Sequence, residues 1–125
     1  MEANIRLAET RQSKTIFPGT QNANHTLFGG EALKWMDEVA FITATRYSRK
    51  KMFTVAINNI KFWRPADKVC FVEVVGKVQS VGAVKLSVKV EMYVEQMYDD
   101  KKAQIAVEGL FVFVALDEDH KPQRL

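Results

Sequence analysis

The sequence predicts an α+β fold in which one long, mostly apolar helix is wrapped by an antiparallel sheet. Three observations carry this. Between residues 31 and 47, apolar side chains recur every three or four positions and cover almost the whole circumference of a helix. From residue 53 onward the apolar period falls to two, the signature of strands. The chain has 125 residues, which suits one core and leaves little room for a second. It is read as a single domain over 1–125.

In chain order, Ile5 to Thr10 reads as a short strand, followed by a polar stretch to residue 17. Residues 18–30 read as a loop, because Pro18-Gly19 is a turn signal and Asn22, Asn24 and Gly29-Gly30 disfavour regular structure. The helix follows, roughly Glu31 to Tyr47. Leu33, Met36, Ala40, Ala44 and Tyr47 form its apolar stripe, and Trp35, Val39 and Ile42 widen it. Glu31, Lys34 and Glu38 leave one narrow wet stripe. The next segment alternates through Phe53, Val55 and Ile57, changes parity at Asn58-Asn59 and resumes with Ile60 and Phe62, which predicts a bulge. Val69 to Val75 is a strand apolar on both faces apart from Glu73. Val84 to Gln96 alternates strictly and has one buried face, and Ile105, Val107, Phe111 and Phe113 mark a last strand. Val81-Gly82 and Asp99 to Lys102 read as turns, and the polar tail Asp117 to Leu125 is expected to fray. The outer face of such a sheet, rich in Val and Phe, and its edges need cover. A homodimer or a larger assembly is the expected solution.

The net charge of +3 suits an anionic ligand and is too small to argue for nucleic acid. The densest basic run, Arg46, Arg49, Lys50 and Lys51, reads first as a solvated helix end and second as a contact for a phosphate-bearing ligand. One cysteine, Cys70, allows no internal disulfide. The start lacks the basic and apolar regions of a signal peptide, and no stretch approaches the ~20 apolar residues of a membrane span. The expectation is a cytoplasmic protein without membrane partners.

Asp37 is the odd residue of the helix. Leu33 and Phe41, four positions either side, are apolar, and Lys34 is the one charged partner nearby. Glu38 points about 100° away, into the wet stripe. A carboxylate on an apolar face is costly unless hydrogen-bonded or paired, so Asp37 is either a satisfied structural residue or a general base or nucleophile. Gly29 and Gly30 precede the helix, where unpaired amides could hold an oxyanion and glycines allow close backbone approach. His25 and His120 have no second ligand at metal spacing, so no metal is expected. Cys70 reads as a buried thiol, and phosphate-cradling glycine motifs are absent.

The run Asn22-Ala23-Asn24, Phe28-Gly29-Gly30, Leu33 and Trp35-Met36-Asp37-Glu38 resembles the acyl-CoA hydrolase family of hotdog thioesterases, which includes the YciA-like bacterial enzymes and the brain-type acyl-CoA hydrolases. Thr54-Val55-Ala56 with Asn58-Asn59, the strand Val84 to Gln96 and the ending Ala115-Leu116-Asp117-Glu118 extend the resemblance over most of the chain. The resemblance implies a hotdog fold, its helix wrapped by five or six antiparallel strands. It implies a dimer as minimal unit, often a trimer of dimers, with active sites at the dimer interface. The implied reaction is hydrolysis of acyl-CoA to free fatty acid and CoA, without metal or cofactor. Carried over by position, Asp37 is the catalytic carboxylate, Asn22 orients carbonyl or water from the partner subunit, and Thr54 helps hold the water. Gly30, beside Gly29, offers an amide to the thioester oxygen, and Gly82 lies in the CoA-contacting turn. Here the chain departs from many relatives, with Ala83-Val84-Lys85 in place of Arg-Thr-Ser and His25 in place of Gly; Lys85 is the substitute cation for a CoA phosphate.

Two rival readings remain at this stage. A hotdog protein could bind acyl-CoA without turning it over, although no attached DNA-binding segment is visible. Hydration of an enoyl thioester would need a well-placed histidine, which neither His25 nor His120 supplies.

Overall fold

The computed structural model describes residues 2–16, 29–64, 66 and 70–125. The elements in chain order are α1 (Glu2–Ala8), β1 (Thr10–Ile16), α2 (Gly29–Ser48), β2 (Met52–Phe62), β3 (Cys70–Val81), β4 (Lys85–Gln96) and β5 (Gln104–Ala115). The five strands form one antiparallel sheet in the order β1-β3-β4-β5-β2, so the strand that follows the long helix lies at one edge and β1 at the other. This is the predicted helix-on-sheet architecture, with five strands among the described residues.

The alternation that marked the strands fixes which face meets α2. Val72 and Val74 on β3, Leu86, Val88, Val90 and Met92 on β4, and Phe111 and Phe113 on β5 are all buried. They pack against Met36, Val39, Ala40 and Ala44 of α2 in one core. The helix can lie this close because β3 carries Gly76 beneath it. A Cβ at Gly76 would stand 2.6 Å from the Thr43 hydroxyl and 3.0 Å from Val39 Cγ1. Thr43 itself is fully buried and satisfied, its hydroxyl donating to the Val39 carbonyl at 2.9 Å.

Three expectations are corrected. The segment read as a strand, Ile5 to Thr10, is instead the helix α1 and the first residue of β1. Glu, Ala, Arg and Leu are good helix formers, and Ile5 and Ala8, three apart, turn inward. The polar stretch beyond it is the real edge strand, held by antiparallel pairing of Thr10–Ile16 with Gly76–Cys70. Its polar, charged character suits an edge. The tail is ordered rather than frayed. Asp117 accepts from the amides of Asp119 and Lys121, Gln123 N donates to Ala115 O at 2.8 Å, and Leu125 N donates to Ala83 O at 2.8 Å.

The bulge expected at Asn58-Asn59 is present. Asn58 pairs with Leu110 and Lys61 with Glu108, and Asn59 takes a left-handed backbone with φ 56°. A second register shift lies between Thr54 and Ala56. No helix among the described residues is long and apolar enough to cross a membrane.

Candidate active site

The site forms where α2 faces the edge strand β2. On α2, Leu33, Asp37 and Phe41 stand four apart and share one ridge. Leu33 and Asp37 are half-buried, and Phe41 is 46% exposed. On β2, Thr54 pairs with the fully buried Phe113, so its side chain is on the α2 side of the sheet. The Thr54 hydroxyl donates to Asp37 Oδ1 at 3.1 Å. This hydrogen bond joins two of the residues expected to act together. Lys34, the partner weighed from sequence, is exposed and forms no ion pair with Asp37. Glu38 and Lys34 are on the wet face as predicted.

Gly29 and Gly30 lie inside the first turn of α2, which begins two residues earlier than the apolar pattern suggested. Amides in a first turn have no partner within the helix and carry partial positive charge. Gly30 is exposed, with open space where a Cβ would be, and a Cβ at Gly29 would lie 3.8 Å from the Phe62 ring. An acidic side chain and a hydroxyl that orients it therefore face each other across one element pair, and the first-turn amides lie seven residues, about 10 Å, toward the start of the same helix. Such a pair can activate a water or attack a carbonyl, and amides at a helix start can take up negative charge on an oxygen.

Asn22 and His25 lie outside the described residues. Gly82 closes the β3–β4 turn, its amide donating to Lys85 O at 2.7 Å. Lys85 pairs with Val114, which pairs with Phe53, so it sits at the Thr54 end of the sheet but on the face turned away from α2. The structure does not bring Lys85 onto the Asp37 face of its own subunit. No group of histidine, cysteine or acidic residues able to hold a metal exists among the described residues. What the sequence reading passed over is the apolar inner face of β2, where Ile57 is 44% and Phe62 57% exposed on the strand that carries Thr54. Its signal was the interrupted alternation of the strand.

The thioesterase superfamily profile matches residues 24–100. The chain is 31% identical over 113 residues to the acyl-CoA thioester hydrolase YciA of Salmonella typhimurium, covering 86% of this chain and 83% of that protein. It is 30% identical over 116 residues to the uncharacterised acyl-CoA thioester hydrolase YkhA of Bacillus subtilis, covering 91% of this chain and 67% of that protein. Among solved structures, the acyl-CoA hydrolase of Staphylococcus aureus in complex with butyryl-CoA and CoA superposes with a TM-score of 0.90 at 26% identity, over 96% of this chain and 73% of that one. Alanine variants of an Asp, a Thr and an Asn of that enzyme are also solved, the Asn variant with CoA bound. The chain belongs to the thioesterase superfamily, among the hotdog-fold acyl-CoA thioester hydrolases. Nothing in these comparisons supports a binding protein without turnover.

Proposed function

We propose that the protein hydrolyses the thioester of fatty acyl-CoA to free fatty acid and CoA, with Asp37 as the acting carboxylate. The observation that carries this is the hydrogen bond from Thr54 to Asp37. The spacing of the Staphylococcus aureus variants supports it. There the Asp follows the Asn by 15 positions and the Thr follows the Asp by 17, the same intervals that separate Asn22, Asp37 and Thr54.

In this reading a Gly30 amide supplied across the subunit interface stabilises the charge that develops on the thioester oxygen, since within one subunit Gly30 lies about 10 Å along the helix from Asp37. Asp37 either takes a proton from the attacking water or attacks the carbonyl carbon itself; in both routes the C–S bond breaks and CoA leaves as a thiolate that takes up a proton, and in the second route water then opens the resulting anhydride and restores the carboxylate. Thr54 fixes the carboxylate through one oxygen and leaves the other for the reaction. Asn22 acts on the carbonyl or the water from a neighbouring subunit. Gly82 and Lys85 are assigned to the nucleotide end of CoA, since Lys85 does not share a face with Asp37.

The assembly is a homodimer at least. β2 is an edge strand with Phe53 and Val55 exposed, and a second copy would cover that edge. Solved relatives include a hexameric acyl-CoA thioesterase with a TM-score of 0.90, in keeping with dimers that assemble further as a trimer of dimers. The chain acts as one domain in the cytoplasm. The test is incubation with a panel of acyl-CoAs and a free-thiol reagent. Thiol release is expected; tight binding of acyl-CoA with no thiol release would refute the hydrolase and leave a sensor.

A further inference from the structure

The bulge of β2 at Asn59 builds a notch that the hydrolysis itself does not use. Asn59 and Ile60 together stand opposite the single residue Gly109. Ile60 packs against the core on the α2 side. A Cβ at Gly109 would collide with Ile60 Cδ1 and meet Phe111 Cε1 at 3.5 Å. The Ile60 δ-methyl therefore fills the space that a side chain at 109 would take.

Ile60 shares its face with the active pair. Thr54 and Ile57 pair with Phe113 and Phe111, both fully buried, and Phe62 pairs with Val107, 4% exposed. At its far end this face reaches the start of α2, where the Phe62 ring approaches Gly29. Beyond Thr54 in the other direction the face closes at Met52, 4% exposed. Among the described residues the open, apolar direction from Asp37 and Thr54 is thus past Ile57 toward Ile60 and Phe62.

We infer that Ile60, seated on Gly109, sets the acyl-chain length that the site accepts. The acyl chain lies along the inner face of β2 from the Asp37–Thr54 pair, and its end meets Ile60. This rests on the reading of that pair as the thioester end. A strand rises about 3.3 Å per residue, and two of the six steps from Thr54 to Ile60 are taken up by bulges, so the run is roughly 13 Å. An extended chain advances about 1.2 Å per bond, so roughly eleven carbons reach Ile60.

The experiment measures kcat/KM from butyryl-CoA to palmitoyl-CoA. In Gly109→Ala the new methyl displaces the flexible tip of Ile60 into the groove. Butyryl-CoA and hexanoyl-CoA should turn over as in wild type, while dodecanoyl-CoA and longer substrates should fall about fourfold for each methylene that loses contact. Adding Ile60→Val removes the δ-methyl and should restore the wild-type profile, and Ile60→Ala alone should extend it to longer chains. A Gly109→Ala defect equal at every length, or no restoration by Ile60→Val, would overturn the inference. Wild type inactive at every length would overturn the hydrolase itself, and activity with an unmoved profile would overturn this inference alone.

Discussion

Thr54→Val removes one hydroxyl while keeping the size and branching of the side chain. That hydroxyl donates to Asp37 Oδ1 over 3.1 Å. A hydrogen bond to a charged group contributes about 1.5–3 kcal/mol when one partner is removed. The distance is long for a charge-assisted O–H···O bond, whose usual range is about 2.5–2.7 Å, and the pair is open to water in one subunit. The lower end therefore applies, and about 1.5 kcal/mol is roughly a 13-fold change in rate. Thr54→Val should lower kcat/KM on butyryl-CoA about tenfold in a thiol-release assay. Thr54→Ser, which keeps the donor, should stay within about twofold of wild type. Wild-type turnover in Thr54→Val would show that the hydroxyl does not hold the carboxylate. A loss of about tenfold in Thr54→Ser with wild-type turnover in Thr54→Val would assign the effect to the γ-methyl packing and refute the reasoning.

Gly76→Ala should destabilise the fold by about 1–3 kcal/mol, because the added methyl meets the fully buried Thr43 and Val39 beneath α2; a denaturant titration with an unmoved midpoint would contradict the close helix–sheet contact. Removing residues 117–125 should lower Tm measurably, since the tail is tied to Ala115 and Ala83 by backbone hydrogen bonds; an unchanged calorimetric transition would mean that those bonds contribute nothing. Tyr93 titrates above its ordinary value of 10.0, through partial burial first and then through the Glu91 carboxylate beside it. The native chain therefore keeps this phenol proton after the unfolded chain has lost it. Its contribution is fully present below pH 10 and is lost as pH rises toward the folded value. Tyr93→Phe should lose stability less steeply than wild type above that pH in urea titrations.

The long helix was legible because nearly every position from Leu33 to Tyr47 obeys one period, and only its start was displaced, the two glycines lying inside the first turn. β4 was legible within one residue because its alternation is unbroken. The parity change at Asn58-Asn59 exposed one bulge. The shift at Val55 stayed hidden because an apolar residue fits either face. β1 has no apolar alternation to read; its place comes from pairing with β3, a contact some sixty residues away in sequence. At the site, the odd character of Asp37 followed from helix arithmetic. Its partner Thr54 did not, since a hydrogen bond between two elements leaves no periodic trace, and it came only through the family resemblance. Lys85 was offered as a substitute cation where the chain departs from the family pattern, and strand pairing puts it on the face turned away from Asp37.

The most direct test of the whole account is Asp37→Ala, assayed by thiol release on butyryl-CoA with CoA affinity measured in parallel by calorimetry. Loss of the acting carboxylate should cut turnover by about 10³-fold or more, the scale seen when a base or nucleophile is deleted. The variant should remain folded and bind CoA as wild type does. Turnover within about tenfold of wild type in a folded Asp37→Ala protein would contradict the assignment of the chemistry to Asp37.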